Sequence, residues 1–250
     1  MPFSNLLLDT CVAIKRLQED EEGCTVRDFL IDKKQYLSQY SIMEFKKTFI
    51  TAVYYLDSMI DEGRSLSDIY HDTADMKTSS DPKISKMGAR LEILLVLLGS
   101  PKKINDQMRY HIKMWRQGML TFQFIDNLTL INSLTNCPMS KSYTGNFSDT
   151  YSPGCICDIE RFFSDYSAEI NVIKQNIQGI FSFKDMFEIL RDGITESNCV
   201  KCCKIGDILI VFDFMNFFYC EPDSALCSTD QHFDTLCPLL HINKINPITE

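Results

Sequence analysis

Apolar positions in this chain fall into two patterns. Short unbroken runs, Leu6-Leu7-Leu8 and Ala225-Leu226-Cys227, have the length and density of buried strands. Longer stretches carry apolar residues at helical spacing: Ile42, Phe45, Phe49, Val53 and Leu56 form one buried stripe of an amphipathic helix that begins near Ser41. The pattern further predicts a short helix over Val12–Leu17, a solvated turn at Glu19–Gly23 and a polar, turn-rich region at Asp72–Pro82. Helices follow over 84–98 and 104–134, then a long loop at Cys137–Gly154 and helices over 158–177 and 183–194. The end of the chain reads as a helix from Asp207, a strand over 224–228, a helix from about Gln231 and a last strand near Ile242. Strands therefore sit near both ends and helices fill the middle. These expectations describe an α/β fold: a three-layer sandwich with a central, mostly parallel sheet, formed as one domain over 1–250 with a mostly helical insertion over 72–198.

Four acids stand at the junctions of these elements. Asp9 closes the first strand, Glu44 lies early in the long helix, Asp207 opens an apolar helix after Gly206, and Asp230 follows the strand Ala225–Cys227. Acids at strand ends and helix starts can converge on one edge of an α/β sheet, where such folds hold their ligands. Carboxylates crowded there repel one another unless cations lie among them. Mg²⁺ or Mn²⁺, one ion or two, suits all-oxygen donors, and phosphodiester hydrolysis is the chemistry such sites perform. Taken singly, the same residues have plainer uses: Asp207 or Asp9 as a helix cap, Glu44 on a solvated helix face. Asp213 lies six residues beyond Asp207, on the opposite side of the helix, and reads as structural or solvated.

Taken in order, these segments resemble the PIN domain, a family of metal-dependent nucleases that cut RNA. The resemblance rests on Leu7-Leu8-Asp9-Thr10, on Ser38 with Glu44, on Gly206-Asp207-Ile208-Leu209-Ile210 and on Ser228-Thr229-Asp230-Gln231-His232-Phe233. It covers about 2–60 and 200–245 and leaves the middle without a counterpart. His232 stands where many members carry a further acid. The resemblance implies an endoribonuclease that leaves a 5′-phosphate. In it Asp9, Glu44 and Asp207 hold one divalent ion, Asp230 completes a second site or orients water, and Thr10 and Ser228 donate to a carboxylate or a phosphate. The alternatives are a catalytically silent PIN-like module that recruits a protein partner through its insertion, and a flap-type nuclease acting on DNA. A phosphatase with a strand-end Asp nucleophile is disfavoured, because Thr10 and Cys11 follow Asp9 where that chemistry wants Asp-x-Asp.

Composition narrows this picture. A net charge of −9 argues against a general nucleic-acid coat, although a local basic surface can still grip phosphate. Lys102, Lys103, Arg109, Lys113 and Arg116 recur at helical spacing, and Lys46 and Lys47 follow Glu44; these are the expected RNA contacts, weighed against a plain solvated face. The 11 cysteines are an odd number with no signal peptide before them, so free thiols in the cytoplasm are expected. Cys155, Cys157, Cys199 and Cys202 could gather a zinc ion, but reduced thiols fit their spacing better. No stretch approaches the roughly 18 apolar residues of a membrane span. The expected partners are RNA, a protein docking on the insertion and a second copy in a homodimer, with no membrane.

Overall fold

The structure is a computed structural model and describes residues 3–18, 20–99, 102–116, 128–135, 158–194, 202, 204–219 and 221–249, with the side chains of 46 and 47 left out. At its centre is a sheet of five parallel strands in the order β3-β2-β1-β4-β5. They are β1 (Asn5–Leu8), β2 (Lys34–Ser38), β3 (Thr129–Ile131), β4 (Ser224–Cys227) and β5 (Lys244–Ile245). Leu8 lies opposite Leu37 on one side and Cys227 on the other, so the two apolar runs pair directly.

Alternation along the strands sends Leu6, Leu8, Leu37, Ala225, Cys227 and Ile245 to one face, and Leu7, Ile131 and Leu226 to the other. Helices bury both faces, which is why β1 is buried along its whole length and apolar from Leu6 to Leu8. On the first face lie α1 (Thr10–Lys15), α2 (Glu21–Leu30), α3 (Gln39–Asp61), α4 (Leu66–Lys77), α5 (Pro82–Leu97) and α6 (Asp106–Arg116). On the second lie α7 (Ile159–Asp165), α8 (Ser167–Ile177), a 3₁₀ turn (Phe181–Phe183), α9 (Lys184–Asp192), α10 (Gly206–Phe218) and α11 (His232–Leu239). The chain is thus a three-layer α/β sandwich. Helix α3 joins the layers: Phe45, Phe49, Val53 and Leu56 pack in the first core, while Tyr40 and Met43 near its start pack in the second.

Several elements differ from the sequence pattern. The acidic run after residue 19 opens helix α2: Asp20 accepts from the Gly23 N–H, and Glu21 and Glu22 sit in the first turn, where the helix dipole favours them. Strand β2 precedes α3 and hands over to it at Ser38, whose hydroxyl accepts from the Ser41 N–H. The polar region 72–82 is the end of α4 and the start of α5, with Asp81 as cap and Pro82 in the first turn. Residues 129–131, expected to be helical, form the edge strand β3, so the stretch 72–198 adds a strand to the sheet as well as helices. The helix over 158–177 is divided at Tyr166. The loop expected at 137–154 lies outside the described residues. Among the described residues, no helix is long and apolar enough to cross a membrane.

Candidate active site

From β1 the chain steps outward to β2 and β3; it later returns to the other side of β1 as β4 and β5. The connections leaving β1 and β4 therefore run to opposite sides, which makes the carboxyl ends of these paired strands the switch point at which open α/β sheets hold their ligands. Asp9 stands at this point. Its N–H continues the ladder to the Cys227 carbonyl (3.0 Å), and its side chain caps α1 by accepting from the Thr10 N–H (2.6 Å). The other carboxylate oxygen accepts from the Ser228 hydroxyl (3.0 Å) and the Cys11 thiol (2.6 Å). Asp9 is only 5% exposed. Burial drives its pKa up to about 6, the charge of Asp207 pushes the same way, and the three donors hold it back. Burial first, and Asp9 second, push the Cys11 thiol up to about 12, so it stays protonated and donates.

The other acids extend this arrangement into a ring, joined by hydrogen bonds except where Glu44 approaches the start of α10 at Gly206. The Thr10 hydroxyl donates to Glu44 Oε2 (2.7 Å). Glu44 Oε1 lies against the first residue of α10, Gly206, where a Cβ would come within 2.5 Å of it and 3.0 Å of the Tyr40 hydroxyl oxygen. The next residue, Asp207, meets His232 Nδ1 at 2.8 Å. The His232 N–H donates to Asp230 Oδ1 (2.8 Å), and the Asp230 N–H donates to Ser228 Oγ (2.9 Å), which closes the ring on Asp9. Asp207, Asp230 and His232 offer ligand atoms that all lie within 4.8 Å of one another. The hydrogen bond to Asp207 raises the His232 pKa against the opposing effect of burial; both acids and the Ser182 carbonyl add to the rise. The His232 imidazole thus lies between two carboxylates, 2.8 Å from Asp207 and 3.8 Å from Asp230. Its ring also packs on Phe183, with centroids 4.6 Å apart.

Asp9, Thr10, Glu44, Asp207, Ser228 and Asp230, the six residues of the acidic motif, lie along this ring, but among the described residues the cluster of ligand atoms within 4.8 Å of one another consists of Asp207, Asp230 and His232, and Asp9 and Glu44 stand outside it. The ring adds Cys11 and the central place of His232, which spacing alone left open. The basic residues lie elsewhere. Arg116 pairs with Asp57 and stacks on Tyr54, and Arg109 lies 3.8 Å from Asp61. Asp57 is three to four turns along α3 from Glu44, roughly 20 Å at 1.5 Å per residue. Lys113 is exposed on the same helix as those arginines, and Lys102 and Lys103 are exposed on the segment before it. The side chains of Lys46 and Lys47 are outside the described residues. So are Cys155, Cys157 and Cys199; Cys202 is half-buried against the second core.

Asp213 belongs to a different arrangement and is not solvated. It is 1% exposed, and its Oδ1 accepts from the Leu134 N–H (2.8 Å). Burial pushes its pKa up to about 7, with the Leu134 N–H and the hydroxyls of Ser38 and Ser133 pulling it down. Oδ2 makes no hydrogen bond.

No family model, curated protein or solved structure matches this chain.

Proposed function

We propose that the chain is a divalent-metal-dependent endoribonuclease of PIN-like fold, hydrolysing RNA phosphodiester bonds at the ring formed by Asp9, Glu44, Asp207 and Asp230. The observation that carries this reading is the chain of hydrogen bonds at the switch point, which runs from Glu44 through Thr10, Asp9, Ser228, Asp230 and His232 to Asp207 and so links acids from β1, α3, α10 and the β4 exit. The residues fit Mg²⁺ or Mn²⁺. The donors are mostly carboxylate oxygens, and Asp9 is a buried carboxyl lifted by the charge of Asp207, a strain that a cation would relieve. Bound there, the ion would activate a water and screen the charge developing on phosphate.

This chain's own residues prepare the site. Ser228 and Cys11 fix the Asp9 carboxyl, and Thr10 fixes that of Glu44, so neither must be ordered when substrate arrives. His232 holds the Asp207 carboxylate by a hydrogen bond at its Nδ1. The purified chain should cut single-stranded RNA with Mn²⁺, stop on chelation and resume when Mn²⁺ is restored. Intact RNA under Mn²⁺ would overturn the reading, and cutting of DNA alone would replace it with the flap-type nuclease.

Gly206→Ala tests the packing of the ring. The backbone of α10 accepts alanine, which favours helix by about 1 kcal/mol. The new methyl group would meet Glu44 Oε1 at 2.5 Å and the buried Tyr40 ring at 3.0–3.1 Å, so the Glu44 carboxylate must leave its place beside Thr10. The helix gain and the crowding of Tyr40 oppose each other, so the variant should stay folded and melt within a few degrees of wild type, while Mn²⁺ affinity by calorimetry falls about 10- to 100-fold.

A further inference from the structure

Beside the acids lies a surface that the ring does not use. Two hollows of about 450 and 510 Å³ flank Ser182 and His232, each within the roughly 300–1,000 Å³ of small-molecule sites. The first is lined by Phe181, Lys184, Lys204, Asp207 and His232, among others. Phe181 is 91% exposed, the most exposed large apolar side chain among the described residues. Its position is nonetheless fixed. The following residue, Ser182, takes a hydrogen bond from His232 through its backbone, and Phe183 is buried with its ring against His232. An aromatic ring in water is thus held at the mouth of the acidic site, with Lys184 and Lys204 on the same hollow. Lys204 is paired with Asp185 at 2.5 Å.

We propose that Phe181 is a base-stacking platform: an unpaired nucleobase beside the scissile phosphate lies on its ring, and Lys184 and Lys204 follow the backbone. A flat apolar face suits a base already out of a duplex, and such stacking tolerates any sequence. This rests on the nuclease reading, and it assigns a role to Phe181 and Lys184, which lie outside the segments that carry the PIN resemblance.

The test uses the full chain in chelator, so that RNA is bound and not cut, with fluorescence anisotropy on a labelled single-stranded oligoribonucleotide. Phe181→Ala should weaken binding about tenfold, and Phe181→Trp should hold or tighten it. Abasic residues in the oligonucleotide should reduce wild-type affinity and leave the alanine variant nearly unchanged. Equal affinity of wild type and Phe181→Ala would overturn the proposal, as would equal losses for both proteins on the abasic oligonucleotide. Cleavage with Mn²⁺ separates the two ideas. If the alanine variant binds as well as wild type and both cut, the platform fails and the nuclease stands. If stacking is seen and neither cuts, the base site belongs to a silent module.

Discussion

Asp9→Asn should lower Mn²⁺-dependent RNA cleavage by at least about 100-fold and, in the metal-free protein, raise the melting temperature. Both effects have one origin. The Asp9 carboxyl is buried at the end of the central strand and faces the charge of Asp207. As an anion it is costly without a cation, and with one it becomes a ligand. The amide keeps the shape and still accepts from the Thr10 N–H, but it has no charge to offer. Addition of Mn²⁺ should then reverse the order. Binding to the native state stabilises wild type in proportion to metal concentration, while the variant gains little. Melting curves with and without Mn²⁺, beside a cleavage assay, read all of this. An equal metal-induced rise in both proteins would remove Asp9 from the ligand set. Asp207→Asn should lose cutting to a similar degree while keeping the fold, since Asp207 is partly exposed.

Asp213→Asn should have the larger effect on stability. Burial holds this carboxyl near 7, against 3.8 for the free group. The folded chain therefore binds the proton more tightly than the unfolded chain. Its stabilising contribution is complete below about pH 4 and is lost as pH rises through 7, about 4 kcal/mol in all. Asparagine can keep the bond from the Leu134 N–H and stays neutral at every pH. Urea denaturation should show the variant gaining on wild type by about 2–3 kcal/mol between pH 5 and pH 8. A gap that does not change with pH would show that Asp213 folds as an anion.

The sequence and the structure agree where a local signal is also a global one. A three-residue apolar run such as Leu6-Leu7-Leu8 fits inside a sheet covered on both faces, so an acid that ends it, such as Asp9, stands at the edge. Gly206-Asp207 before an apolar stretch likewise marks a helix start. The signal is weaker for β2, whose first residues, Lys34 and Gln35, are polar, and for β3, which has three residues and no period to read. The acidic run of α2 resembles a solvated turn because a capped, acid-led helix start uses the same residues. His232 and Cys11 gain their roles from the pairing of β1 with β4, which no spacing along the chain encodes. The arginines of α6 show regular spacing; that Asp57 and Asp61 stand opposite them depends on how α6 packs on α3.

The central pairing of β1 with β4 joins residues near opposite ends of the chain. While the ribosome is still making the protein, Asp9 and Glu44 emerge long before their partners, and the pocket is assembled only once residues 224–232 are free to slot in. A chain still lacking residues 224–232 therefore carries Asp9 without the Ser228 hydroxyl that holds its carboxyl in the complete fold.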